Sequence, residues 1–279
     1  MVKVIHADEN PTLVQDLQLS EIQLIRLTSP GDWLDSGYCL FESVFDDNVL
    51  DDKQAYIDRL SPQAMSERDL VFCLSCAVVN RNGQPIVLGI IGADLMWIGD
   101  SGNDAVLAIG NIAVAECVRN RRIGIALYEF TVNLAKQEAE KDGRQLLCIV
   151  LESEERSLGF WRYMRFLKPD GVKYFQPPLE WNDNGSPVHL EVEETLLISP
   201  TELMNAGPIS PALLVSVVSA MYENWSLRGY RGKLNENAMK NAETYISNLL
   251  EDVRSTILLA SLELKSPELD AETKQGGDK

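Results

Sequence analysis

A chain of 279 residues with 45% apolar and 24% charged side chains can build one large core, or one domain with a smaller addition. Its 42 acidic against 25 basic residues leave a formal net charge of -17, which repels phosphate backbones and anionic lipid and argues against nucleic acid or membrane partners. No apolar run is long enough to span a bilayer, residues 1–10 lack the apolar core of a signal peptide, and five scattered cysteines suggest no disulfide framework, so a cytoplasmic protein is expected.

In chain order, Glu21 to Thr28 alternates polar and apolar side chains as a half-buried strand does. Trp33, Leu34, Tyr38, Phe41 and Phe45 then recur at helical spacing, and a second helical pattern runs from Asp51 to Leu60. Val71 to Val79 and Ile86 to Ile98 are β-rich runs joined through Asn82-Gly83, which predicts a hairpin, and Ala105 to Val114 adds a third antiparallel strand. A helix follows from Ile123 to about Gly143, with Leu127, Thr131, Leu134, Ala135 and Ala139 near one stripe. Leu146 to Leu151 is an apolar strand after a helical crossover, which suggests parallel pairing within the sheet. Glu154 to Met164 predicts a further helix, and Val172 to Phe175 and His189 to Ile198 two more strands. Beyond Ser199 the texture is helical, from Pro208 to Trp225 and from Glu236 to Leu262. The expected organisation is one domain over residues 1–199, a helical appendage over 200–265 and a disordered acidic tail over 266–279.

Chemistry concentrates where the strand Ala105 to Val114 runs through Glu116 to Asn120 into the helix opened by Arg121-Arg122-Ile123-Gly124-Ile125-Ala126. A helix start offers unpaired N–H groups and the positive end of the helix dipole, so this is a candidate pyrophosphate cradle. Gly124 and Ala126 permit close approach, and Arg121 and Arg122 can supply charged donors. The plainer alternative is an ordinary basic helix start. Neither the P-loop pattern nor a G-x-G-x-x-G after a strand is present.

The run Arg121 to Ala126 resembles the R/Q-x-x-G-x-G/A acyl-CoA signature of the GNAT N-acetyltransferase superfamily, placed after a strand and at a helix start. Glu154 to Phe166 is similar to that family's N-x-x-A-x-x-F-Y-x-x-x-G-F helix, with Phe160 and Phe166 matching. Glu154, Ser157 and Arg165 stand where the family has Asn, Ala and Gly, and Trp161 where many members carry the tyrosine that protonates the departing thiolate. Indole has no acid in that range, so Tyr163 is the substitute candidate, against the reading of a half-exposed helix tyrosine.

The resemblance implies an α/β fold with a mixed, mostly antiparallel central sheet flanked by helices, to which the C-terminal helices are an appendage. It implies acetyl-CoA or another acyl-CoA as co-substrate, pantetheine along Ile112, Ala113 and Val114, pyrophosphate at Arg121, Arg122, Gly124, Ile125 and Ala126, and direct transfer to an amine of a small molecule or peptide. Glu116 is the nearest acidic residue to that strand's end and the candidate base, against a solvated loop glutamate. Open alternatives are a non-catalytic acyl-CoA sensor or scaffold, and a transferase using a longer acyl chain or a carrier-protein thioester.

Other features carry less. Cys73 and Cys76 have CxxC spacing in a strand, where residues three apart face opposite ways, and His6 and His189 stand far apart with no ligand set for a metal. Tyr174 to Leu179, with two consecutive prolines, reads equally as a rigid wall of an acceptor pocket or as a packed turn before Trp181. Tyr38, Phe41, Phe45 and Trp97 could line that pocket, although their spacing fits a core. The C-terminal helices are a candidate homodimer surface.

Overall fold

The computed structural model describes residues 3–45, 50–61, 70–98, 103–190, 192–201, 209–260, 263–265 and 267. Apart from Pro267, the expected tail over 266–279 lies outside the described residues, as does the turn after Ile98 up to residue 102. The chain divides into two compact units, Met1–Leu146 and Leu147–Lys279.

In the first unit, β2 (Gln23–Leu27), β3 (Leu70–Arg81), β4 (Gln84–Ile98) and β5 (Asp104–Val114) pair antiparallel in that order. The β3–β4 hairpin turns on Asn82 and Gly83, whose φ angles of 54° and 79° are the left-handed pair that the tight primed turn needs. A short β1 (Ile5–His6) runs parallel to β4, with Ile5 against Ile86 and His6 against Val87. Helices α1 (Asp32–Glu42) and α2 (Lys53–Arg59) cover one face of the sheet and α3 (Ile123–Lys141) the other. Two glycines show how close these layers come. A Cβ on Gly37 of α1 would lie 2.6 Å from Ile90 Cδ1, and one on the neighbouring Gly89 of β4 would lie 2.9 Å from Leu127 Cδ1 of α3. Ile123, Leu127, Thr131, Ala135 and Ala139 form the buried stripe of α3, and Leu134 sits at its margin.

The second unit pairs β6 (Gln145–Ser153), from Leu147 onward, antiparallel with β9 (Val192–Pro200), and β9 antiparallel with β8 (Tyr174–Gln176). Short strands β7 (Lys168–Pro169) and β10 (Leu264–Lys265) pair beside them. The helix expected over Glu154 to Met164 is a 3-10 turn, Glu155–Ser157, followed by a short α4 (Leu158–Tyr163).

Helices α5 (Pro211–Tyr222), which continues as a π-turn over Glu223–Leu227, and α6 (Glu236–Leu259) pack on the segment around β8. The Tyr222 hydroxyl donates to the Phe175 carbonyl at 2.6 Å, the Trp181 indole N–H to the Ser226 carbonyl at 2.8 Å, and the Lys173 N–H to Thr256 Oγ1 at 3.2 Å. Pro177, Pro178 and Trp181 are buried, so the proline run is a packed turn against these helices. The class is therefore α/β with mostly antiparallel strands flanked by helices, and a helical addition follows them. Among the described residues no helix is long and apolar enough to cross a membrane.

Candidate functional site

Strand β5 sets up the first half of the site. Gly92 of β4 opposes Asn111, but Ala93 opposes Ile109, so Gly110 is an extra residue and β5 bulges there. Ala105 to Ile109 are buried; Gly110 is exposed, and Asn111, Ile112 and Val114 are half-buried. The bulge therefore marks where the unbroken buried run of β5 ends, although Ala113 beyond it is again buried. Beside it, Tyr56 of α2 donates its hydroxyl to Asn111 Oδ1 at 2.8 Å. Tyr56 is 1% exposed and packs with Tyr38, Phe41 and Phe72 at ring distances of 5.6–5.8 Å, which makes Tyr38 and Phe41 core residues. Burial, reinforced by Asp51, pushes the Tyr56 phenol well above its ordinary range, so it stays a donor.

From Val114 the chain enters a 3-10 turn, Glu116–Val118, held from the N-terminal segment. The Asp8 carboxylate accepts the N–H groups of Glu116 and Cys117 at 2.8 and 2.9 Å. Burial works against the Asp8 charge, but the Cys117 backbone and thiol and the Glu116 N–H outweigh it and hold the carboxyl below its usual value. Glu116 itself projects an exposed side chain.

The loop then takes two left-handed residues, Asn120 (φ 64°) and Arg122 (φ 61°), before α3 begins. Side chains cap α2, α5 and α6 through Asp52, Ser210 and Asn235, whereas no side chain caps α3. Its first intrahelical bond is from the Ala126 N–H to the Arg122 carbonyl at 3.0 Å. The amides of Ile123, Gly124 and Ile125 thus have no intrahelical acceptor and point out of the positive end of a 19-residue helix. Left-handed residues ahead of such a start gather backbone N–H groups into an anion-binding concavity.

The two arginines diverge. Arg121 donates to the carbonyls of Val14, Leu17 and Gln15 at 3.2, 3.3 and 3.0 Å and so fastens the N-terminal segment to the loop. Arg122 is exposed, and no hydrogen bond or ion pair holds its guanidinium among the described residues. It is the cation left beside the uncapped helix.

In the second unit, Trp161 is 4% exposed between Phe160 and Phe166, at ring distances of 4.9 and 5.1 Å. Tyr163, at the end of α4, is 69% exposed. Arg165, where the resembling motif has glycine, adopts φ 63°, and the Phe166 N–H closes on the Trp161 carbonyl at 3.0 Å. The left-handed helix end is kept although the glycine is not.

Sequence reasoning passed over one group in this unit. Glu152 of β6 accepts the hydroxyl of Tyr174, which is 1% exposed, with Gln176 and Glu194 near the same carboxyl. Burial is the largest influence and the Glu194 charge adds to it; against the Tyr174 and Gln176 bonds they push the Glu152 carboxyl up to about 8. It also passed over Gly110 and Asn111, although a lone glycine in a strand pattern signals a bulge.

No protein-family model matches the chain, and no curated protein does. Solved structures do resemble it. The NatC complex bound to Gag peptide and CoA is 19% identical over 65% of this chain and 99% of that chain, with a TM-score of 0.46. Arabidopsis thaliana NAA60 in complex with a bisubstrate analogue is 13% identical over 65% and 98%, TM-score 0.45. The acetyltransferase of GNAT family from Streptococcus pneumoniae is 16% identical over 64% and 99%, TM-score 0.41. At these identities and TM-scores the likeness assigns no role to any residue of this chain.

Proposed function

We propose that the chain is an acyl-CoA-dependent N-acyltransferase that moves an acyl group, acetyl in the simplest case, to an amine of a small molecule or peptide. The observation that carries this reading is the uncapped start of α3 directly after the bulged strand β5. In this reading the pyrophosphate sits on the amides of Ile123, Gly124 and Ile125, with Ala126 leaving room for it and Arg122 supplying charge. Arg121 shapes the loop by holding the N-terminal segment. Pantetheine runs along Ile112, Ala113 and Val114, past the exposed Gly110 of the bulge.

An amine nitrogen then forms a bond to the thioester carbonyl carbon, the C–S bond breaks, and CoA leaves as a thiolate that takes up a proton. Glu116 is the proposed acceptor of the amine proton and Tyr163 the proposed donor to sulfur. Tyr163 is exposed, so Tyr163→Phe is expected to leave stability unchanged while lowering turnover about hundredfold. Undiminished turnover would remove it from the mechanism.

Calorimetric titration with acetyl-CoA, CoA and a longer acyl-CoA tests the donor assignment, and thiol release with an amine panel tests transfer. No binding by any of the three would withdraw it. Burial of Trp161 at the usual acid position favours a second reading, a non-catalytic acyl-CoA sensor. CoA binding without thiol release across the panel would select that one. We place the protein in the cytoplasm, and sedimentation would show whether α5 and α6 also join two copies.

A further inference from the structure

We infer that Asn111 contacts the acyl donor, its carboxamide turned by Tyr56 so that the N–H2 end donates to the thioester carbonyl oxygen at the β5 bulge. The inference rests on the acyl-transfer reading above and assigns the side chain that meets the reacting carbonyl.

Position comes first. Asn111 is the residue immediately past the extra, exposed Gly110, and it is itself half-buried. It opposes Gly92, and Gly92 lies under Tyr56, since a Cβ there would come within 3.5 Å of the Tyr56 ring. Asn111 thus projects on the α1–α2 face of the sheet, beside the backbone proposed to carry pantetheine.

Orientation follows from Tyr56. A half-buried asparagine left to water samples both faces of its amide, but here the oxygen is held at 2.8 Å by a phenol that is itself locked among Tyr38, Phe41 and Phe72. The phenol donates and the amide oxygen accepts, and burial keeps the phenol protonated. What remains for a ligand is a pair of N–H donors, which match an oxygen acceptor without charge. Behind this pair, Arg59 bonds Asp51 at 2.6 Å and approaches Asp94 at 3.6 Å, so that guanidinium is engaged by carboxylates and the amide of Asn111 is the uncharged donor group at this position. A carbonyl gains more from such a donor as its oxygen becomes negative during attack.

A purely structural role, tying α2 to β5, is the competing account, and a ligand-dependent readout separates the two. Acetyl-CoA is compared by calorimetry with S-ethyl-CoA, the thioether that lacks only the carbonyl oxygen. The wild-type protein is expected to prefer acetyl-CoA about five- to tenfold. Asn111→Leu is expected to bring the two ligands within twofold while S-ethyl-CoA affinity stays unchanged, and Asn111→Asp to abolish the preference for acetyl-CoA. Asn111→Asp retains an oxygen for Tyr56, so it preserves the tie while removing the donors and adding a negative charge, and Asn111→Leu removes the donors without charge. Tyr56→Phe is expected to reduce the preference part-way.

A preference retained in both Asn111 variants, or absent from the wild type, overturns the assignment. Failure of the wild type to bind acetyl-CoA, S-ethyl-CoA or CoA is a different result, and it overturns the acyl-CoA reading itself.

Discussion

Replacing Glu152 with glutamine isolates the energetic consequence of a half-buried acid held against a buried tyrosine. Its carboxyl is pushed up to about 8 from an ordinary 4.5, first by burial and then by the Glu194 charge, despite the Tyr174 and Gln176 bonds. The folded state therefore holds the proton more tightly than the unfolded chain does. Its advantage from that proton is complete below about pH 4.5 and is lost as the pH rises to about 8. Each pH unit in this window costs about 1.4 kcal/mol, so the full span approaches about 5 kcal/mol. Glu152→Gln keeps an oxygen for the Tyr174 hydroxyl and carries no charge, so its stability should not follow that slope. Urea unfolding of both proteins from pH 5 to pH 9 is the assay. The wild type also loses stability through self-repulsion at a net charge of -17, but nearly all of that loss is shared, so the difference between the two curves is diagnostic. The variant should gain progressively and be several kcal/mol the more stable at pH 9. Parallel curves would refute the argument and mean that the carboxyl is hydrated or ionised at neutral pH.

Arg122→Glu places a negative charge where the pyrophosphate is proposed to sit, and it should weaken CoA binding at least tenfold at low salt, measured by calorimetry. Unchanged affinity would remove Arg122 from the cradle. Arg121→Ala frees the Val14, Gln15 and Leu17 carbonyls; it should cost about 2 kcal/mol in thermal unfolding and speed proteolysis within residues 3–21. Arg165→Gly relieves a non-glycine residue held at φ 63°, and a stability gain of about 1 kcal/mol is expected in chemical denaturation.

The fold was legible where local chemistry and periodicity agree. Asn82-Gly83 announced the β3–β4 hairpin because only residues tolerant of positive φ fit that turn. The stripe from Leu127 to Ala139 placed α3 because its period matches a helix lying on a sheet. The N-terminal segment was illegible for the opposite reason. Its short pieces have no period of their own, and their positions come from Asp8 bonding Glu116 and Cys117, and from Arg121 bonding three carbonyls, more than a hundred residues away in the chain. One of the two arginines that looked like phosphate ligands was therefore committed elsewhere, and nothing in Arg121-Arg122 said which.

The same contrast governs the chemistry. Arg165 departs from a glycine motif in letters, yet the Phe166 N–H still closes on the Trp161 carbonyl, because helix termination is fixed by the hydrogen bonds around it and the side chain pays only strain. Trp161 departs in chemistry as well, since an indole packed between Phe160 and Phe166 has no hydrogen as acidic as a phenol's. Glu152 had no local signature at all. An acidic residue at the end of an apolar strand usually marks the exit to water; here β9 and β8 bring Glu194 and Tyr174 to the same carboxyl across a sequence gap of 22 residues or more. The surroundings of Glu152 are thus made by strand pairing, whereas the uncapped start of α3 is made by sequence neighbours, and only the second kind is readable from the chain alone.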